Sequence, residues 1–319
     1  MNNKLSLKEH GFNVSAIENP SICRILTKTI YAFPDHKKAL VKSINSHVDS
    51  DYLFLENLAN LIEKISNGLI ERFIDSYIWM LDVFLEEQLE FVRTNKYRRM
   101  SFQEVYKDIY SDKEYMRKYM EGLLLSQLLW VNHAKSYVHF HKFMLNQSRK
   151  FHYLEIGPGH GMYLLIASSN AKCITSEAWD VSAESLRQTK SALQKFSMEN
   201  SVKLLKKNLV DELTETSNKQ YDLIVISEVL EHIEEVDKAL INIYEILSEN
   251  GTLYLNFPVN SPAPDHIYLL RTIEDVEKLL INFGFKITSS VGFPSSNYTL
   301  DEAKLNGSAI SCIVTAKKN

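Results

Sequence analysis

The hydrophobic residues of this chain change their repeat near residue 148, and that change divides it into two kinds of structure. From about residue 20 to residue 147 apolar side chains recur every three or four positions, the spacing that lines one face of an α-helix. The stretch from Leu69 to Val92 is the longest such stripe. Asp82, Glu86, Glu87 and Glu90 interrupt it, so it reads as an amphipathic helix and not as a membrane span. Ser101 followed by Glu104 predicts a capping box, and Ser111-Asp112 predicts the start of a further helix. Residues 1–147 therefore read as an all-helical domain, serving to cover a substrate or to dimerise. In residues 148–319 short β-rich runs alternate with helical ones. Strands are expected at 153–156, 173–179, 202–206, 221–227, 252–257, 286–291 and 310–316, and helices at 162–168, 183–197, 236–247 and 273–283. Strand alternating with helix predicts an α/β fold, with a mainly parallel sheet covered on both faces. The last two strands show no helical crossover between them and are expected to form an antiparallel edge pair.

Composition narrows the setting. The 319 residues are 45% hydrophobic and 24% charged, with a formal net charge of -4. A net negative chain gives no reason to expect a polyanion as partner; DNA is excluded on this reading, and RNA is disfavoured. The one basic run, Lys96-Tyr97-Arg98-Arg99, reads as a solvated helix end. Cys23, Cys173 and Cys312 are scattered and odd in number, so neither a disulfide framework nor a zinc knuckle is expected, and a reducing cytoplasm fits. The opening Met1-Asn2-Asn3-Lys4-Leu5 lacks the apolar core of a signal peptide.

At the end of the first expected strand stands Leu154-Glu155-Ile156-Gly157-Pro158-Gly159-His160-Gly161, followed at once by a helix. Ligands bind sheets of this kind at the carboxyl ends of strands, and glycines there let a ligand approach bare backbone. The dinucleotide fingerprint requires a third glycine one position later, where Met162 stands. Glu155 repels a pyrophosphate and attracts a cationic amine. The second strand ends at Asp180 in Trp179-Asp180-Val181-Ser182, nineteen residues after Gly161. An acid at that point can accept from both hydroxyls of a ribose, or it can cap the next helix, a role that Ser182 fills as well.

With these motifs the segment Tyr221-Asp222-Leu223-Ile224-Val225-Ile226-Ser227-Glu228-Val229-Leu230-Glu231-His232 and the turn Gly251-Thr252-Leu253 complete a pattern. It resembles the class I S-adenosylmethionine-dependent methyltransferases, Rossmann-like proteins, in the group that carries Glu-Val-Leu-Glu-His, and covers about residue 150 to the C-terminus. The resemblance implies that Glu155, Gly157, Gly159 and Gly161 hold the methionine part of S-adenosylmethionine and that Asp180 and Val181 line the ribose. It implies that Asn208, where relatives often carry aspartate, accepts from the adenine amine beside Leu209, with Ser227 and Glu228 at the next strand tip. The Asn/Asp-Pro-Pro-aromatic sequence of enzymes that methylate base amines is missing, which again argues against DNA.

An activated sulfonium leaves the protein mainly the task of alignment. Where the acceptor carries a proton, His232 is the candidate base, its alternative being a helix-start histidine with a structural hydrogen bond. His266 follows the proline-rich stretch 258–264, and Asp265, His266 and Tyr268 are expected to reach the acceptor. In the helical half Trp130, His133, Tyr137, Phe140 and His141 read as bundle core, with His133 or His141 free to point into the pocket. Glu228, Glu231, His232 and His266 together look like the divalent-ion ligands of small-RNA 2′-O-methyltransferases. The same segment occurs in metal-free relatives, and no metal is assigned. The reading is a methyltransferase acting on O or N of a small metabolite or biosynthetic intermediate, as a possible homodimer through the helical domain. Its rivals are a metal-dependent RNA 2′-O-methyltransferase, which predicts a basic groove near Arg98, and a non-catalytic cofactor-binding regulatory protein, insensitive to changes at His232 and His266.

Overall fold

Pro20 occupies the first position of helix α1 (Pro20–Ala32), where its missing N–H is no loss, and Asn19 caps that helix by accepting from the Ser21 N–H. The computed structural model describes residues 7–13, 19–213, 220–295 and 298–319. The opening Met1-Asn2-Asn3-Lys4-Leu5 lies outside them. Helices α2 (Lys37–Asn45), α3 (Asp49–Ser66) and α4 (Ile70–Thr94) follow. In α4 the expected stripe is buried at Ile70, Phe73, Ile74 and Phe91, joined by Tyr77 and Met80, whereas Leu69, Leu85, Leu89 and Val92 of that stripe are exposed. At Ser101 only half of the expected capping box forms. The Ser101 hydroxyl accepts from the Glu104 N–H, but the Glu104 carboxylate turns back to the N–H of Met100. The helix it opens, α5 (Phe102–Val105), passes directly into a π-helical turn over Tyr106–Tyr110. Asp112 then caps α6 (Lys113–Leu129), and α7 (Val131–Leu145) closes the helical half.

Helices α4 and α6 approach each other through Gly122. A β-carbon there would lie 3.0 Å from Met80 Cβ and 3.1 Å from the Ser76 carbonyl oxygen. Gly122→Val forces these helices apart, and we expect it to lower unfolding free energy by about 1–3 kcal/mol in urea titrations.

The sheet has seven strands in the order β3-β2-β1-β4-β5-β7-β6. These are β1 (Phe151–Ile156), β2 (Cys173–Asp180), β3 (Val202–Lys206), β4 (Tyr221–Ser227), β5 (Leu247–Val259), β6 (Phe285–Pro294) and β7 (Ile310–Lys318). The first five pair parallel, whereas β7 runs antiparallel to both β5 and β6. Helices α8 (Met162–Ser168), α9 (Ala183–Lys195), α10 (Val236–Ile246) and α11 (Ile273–Asn282) stand where the periodicity placed them. The antiparallel pair is as expected, with one correction: α12 (Leu300–Asn306) lies in its connection. Thr299 and Glu302 cap that helix reciprocally, and seven residues are too few for an apolar stripe to announce it. A second correction concerns the loop expected at 258–264. Strand β5 continues through Pro258 to Val259, paired with Ser311 and Ile310, and the chain turns only at Asn260 (φ 48°).

Alternation along the strands gives the sheet two buried faces. Leu154, Ile156, Ile224, Ile226, Leu253 and Leu255 face a core shared with α10 and α11. Tyr153, Leu223, Val225, Tyr254 and Ile313 face the other side, in one continuous core with Tyr137, Phe140, Tyr77 and the rest of the helical half. Polar bonds cross the same boundary: the Asn132 amide donates to Ser311 (2.9 Å), and His139 Nδ1 lies 3.0 Å from the Tyr254 hydroxyl. Thus the helical layer caps one face and one end of the sheet. No helix among the described residues is long and apolar enough to cross a membrane.

Candidate active site

The order of the strands puts β1 between β2 and β4, so successive crossovers leave in opposite directions and open a crevice at their carboxyl ends. The glycine turn lies there. Gly157, Gly159 and Gly161 adopt φ of 64°, 52° and 74°, a region in which a β-carbon is strained. Gly157 donates its N–H to the Trp179 carbonyl (2.8 Å), and the Thr189 hydroxyl holds the Gly159 carbonyl (2.7 Å). An added β-carbon at Gly157 would fall 2.5 Å from Val229 Cγ2, whereas at Gly159 it would meet only Met120 Cε, at 3.7 Å. The first glycine is required by packing and the second by open space.

Two acids flank this turn. Glu155 is 3% exposed, and its carboxylate accepts the Tyr153 hydroxyl at 2.8 Å. Burial pushes its pKa up to about 8, despite that bond. Asp180 accepts from the Ser182 N–H (2.8 Å) and the Ser185 hydroxyl, and burial raises its pKa as well. Ser182 is the helix cap of α9, so Asp180 is left to serve the cavity. Val181, Asn208 and Leu209 continue the wall. Asn208 bends its own turn by accepting from the Val210 N–H (3.3 Å), and the Asn242 amide fixes the Leu209 carbonyl (2.7 Å). Ser227 and Glu228 end β4, with Glu228 at φ 55°; the Asn256 amide donates to both side chains (3.1 and 3.0 Å). Every residue assigned to the cofactor from the sequence except Gly161 lines one cavity of about 1260 Å³. Gly161 stands just behind it as the N-cap of α8, against Thr189.

The helical half roofs the same cavity. Phe84, Tyr110, Met116, Tyr119, Met120 and Trp130 line it, with Lys113 as the only charged side chain that this half contributes among the described residues. His133 faces it too. Its Nδ1 is 2.9 Å from the Ser126 hydroxyl, which already donates to the Leu123 carbonyl, so Nδ1 carries the proton and Nε2 presents a lone pair. Burial, then the neighbouring His160, hold the His133 pKa near 3, so it stays neutral at physiological pH. His141, its alternative in the sequence, stacks on Phe54 (4.5 Å) and lies away from the cavity. His160, between two of the glycines, lines the cavity with a buried Nδ1 that has no partner; its position in the turn was the only signal for it.

At the tip of β4 a 3₁₀ turn over Leu230–His232 brings His232 to the wall, beside His266 and Asp265. Burial, then His232, hold the His266 pKa near 3. The Asp265 carboxylate accepts the hydroxyls of Tyr119 (2.7 Å) and Tyr110 (3.1 Å), both from the helical half. Tyr268, expected to reach the acceptor, does not: it packs on Phe257 in the opposite core. The run Lys96-Tyr97-Arg98-Arg99 is likewise no solvated helix end. Arg98 pairs with Glu87 (3.0 Å), and Arg99 pairs with Glu87 and Asp108 and donates to the Pro264 carbonyl (2.9 Å). These two arginines fasten the roof, and they leave no basic groove at this point.

A sheet of this topology, with a glycine turn between two acids and Met162 where the dinucleotide fingerprint needs a glycine, is a Rossmann-like fold. Residues 154–253 match the family described as a methyltransferase domain. Among solved structures the chain superposes on the pyocyanin biosynthetic protein PhzM (15% identity, TM-score 0.53, 78% of this chain and 72% of that one). It also superposes on the mitomycin 7-O-methyltransferase MmcR (10% identity, TM-score 0.51, 78% and 70%). The N-methyltransferase NodS from Bradyrhizobium japonicum WM9, in complex with S-adenosyl-L-homocysteine, matches less of this chain (16% identity, TM-score 0.46, 58% and 87%). At such identities the likeness is one of fold. No curated protein matches the sequence.

Proposed function

We propose that this enzyme methylates an oxygen or nitrogen of a small metabolite enclosed between the helical roof and the strand tips. The observation that carries this reading is the single cavity, about 1260 Å³, which runs from the glycine turn and Asp180 to the roof. Ligand pockets commonly measure about 300–1,000 Å³, so there is room for a cofactor and an acceptor side by side. The roof's lining is apolar, aromatic or neutral with one lysine, which suits an uncharged molecule and offers a polyanion little. The proposed positions follow: the methionine amine near Glu155, the ribose at Asp180, the adenine beside Asn208 and Leu209. The acceptor lies under Tyr110, Trp130 and His133. Alignment of acceptor, methyl and sulfur in a closed pocket supplies most of the rate, and exclusion of water strengthens the field on the sulfonium. His133, held neutral, accepts a hydrogen bond from the acceptor and orients it. The proton that the acceptor loses passes to His232 at the cavity wall.

His133→Ala is therefore expected to lower kcat/KM by about ten- to a hundredfold while leaving S-adenosylhomocysteine affinity unchanged. The direct test offers methyl donor with phenols, amines and RNA oligonucleotides as acceptors. Transfer to a phenol or amine supports the reading. Transfer to RNA alone, or cofactor binding with no turnover on any acceptor, overturns it.

Glu155 gives a pH signature. Its pKa of about 8 in the free protein means that it is mostly protonated at neutral pH. A cationic amine binds the ionised form, so binding releases a proton, and affinity rises about tenfold per pH unit until about pH 8, then levels. Calorimetry in buffers of different ionisation enthalpy reads the released proton. Glu155→Gln should abolish the release.

A further inference from the structure

We propose that the mouth of the cavity binds a neutral apolar tail, so that the acceptor is a molecule whose reacting head lies under the roof and whose alkyl chain runs out over the lip. The proposal rests on reading the cavity as a methyl-transfer site, and it names the class of acceptor.

Large apolar side chains stand in water at this rim. Leu85 is 57% exposed, Phe102 39% and Tyr106 56%, yet all three line the cavity. Phe102, Tyr106 and Tyr110 follow one another at four-residue spacing through α5 and the π-helical turn, which sets them along one face. Their rings make a path from inside to outside. Phe102 lies 6.0 Å from Tyr110 and 6.2 Å from Tyr106, centroid to centroid. Tyr110 is the inner end, fixed by its bond to Asp265 (3.1 Å), and Tyr106 is the outer one. Beyond the rim the apolar surface continues along α4. Leu89 and Val92, both exposed, stand four and seven positions after Leu85 on the same face of that helix.

Covering such a surface is favourable, and a contiguous apolar patch at a cavity mouth marks what the cavity takes in. The ring path ties the patch to the acceptor's place under Tyr110, so the cover that fits is part of the acceptor itself. A second copy of the chain seated on Leu85 and Leu89 would lie across the mouth and shut the acceptor out. The facing lip sorts the tail by charge. Glu184, Glu234 and Glu235 line that side of the mouth. Glu234 accepts the Phe102 N–H, which fixes its carboxylate beside the apolar path. A chain that ends in a carboxylate or phosphate is repelled there, and so is an anionic membrane surface. A neutral hydrocarbon meets no such opposition.

The test uses the full chain saturated with S-adenosylhomocysteine and reads binding by equilibrium dialysis of para-butylphenol, para-hexylphenol and para-octylphenol. Full burial of a methylene gains about fourfold in affinity; a lip open on one side should give about twofold for each. The octyl compound is therefore expected to bind about sixteenfold more tightly than the butyl one. Octylphenol with a terminal carboxylate should lose that gain. Leu85→Ser and Tyr106→Ser, at exposed positions where folding is little affected, should each flatten the series. Leu305→Ser, at an exposed leucine that does not line the cavity, should keep it steep. A flat series in the wild type, no binding by any member, or an equal gradient in the Leu85→Ser, Tyr106→Ser double variant overturns the proposal. So does a dimer in sedimentation that Leu89→Glu converts to monomer, because the lip is then an interface between copies. Methyl transfer is measured separately. Transfer to a short phenol with a flat series refutes the tail alone, whereas a steep series without transfer to any acceptor refutes the methyl-transfer reading alone.

Discussion

Gly159→Val is expected to lower S-adenosylhomocysteine affinity by at least about a hundredfold, equivalent to about 2.7 kcal/mol, and to leave the chain folded. The β-carbon at this position touches nothing but the end of Met120, at 3.7 Å, so the branched side chain would project into the cavity where the turn faces the ligand. Its φ of 52° makes valine strained, at a stability cost of about 1–2 kcal/mol. Gly157→Ala provides the contrast. Its β-carbon would come within 2.5 Å of Val229 Cγ2, so this variant loses stability through displacement of the strand tip. Calorimetry for affinity and urea unfolding for stability tell the two apart. Equal affinity of Gly159→Val and wild type would remove the glycine turn from the site.

Asp180→Ala is expected to weaken the same ligand by about ten- to a hundredfold, because each charge-assisted hydrogen bond contributes about 1.5–3 kcal/mol. Removing the carboxylate also releases the Ser182 N–H and the Ser185 hydroxyl. The fold survives, since Ser182 still caps α9. Asp180→Asn keeps one acceptor and should fall between. An Asp180→Ala variant with wild-type affinity would place the ribose elsewhere.

Much of this was readable in the sequence because it is local. The stripe of α4, the β1–glycine turn–α8 unit and the acid ending β2 each depend on neighbours a few residues away. The parallel strands were legible as buried apolar runs. What escaped was set by distant partners or by short elements. Helix α12 carries a legible cap, Thr299 with Glu302, but too few residues for a periodic signal. The pairing of Tyr110 and Tyr119 with Asp265 spans 155 and 146 residues, and Arg99 reaches Pro264 across 165. Nothing in a basic run reveals that two acids will neutralise it. His141 and His133 share a helix, and only packing decides that one stacks on Phe54 while the other faces the cavity. In the same way, the sequence groups Glu228 with Glu231, His232 and His266, whereas the fold gives Glu228 to Asn256 and keeps only the other three together.

The central claim is that a cationic nucleoside, and no pyrophosphate, fits between Glu155 and Asp180 over bare backbone. Titrating S-adenosylhomocysteine and, separately, NAD into the wild-type protein by calorimetry tests it most directly. One equivalent of S-adenosylhomocysteine is expected to bind, and NAD is expected to give no heat. Saturable NAD binding, with S-adenosylhomocysteine giving none, would contradict it.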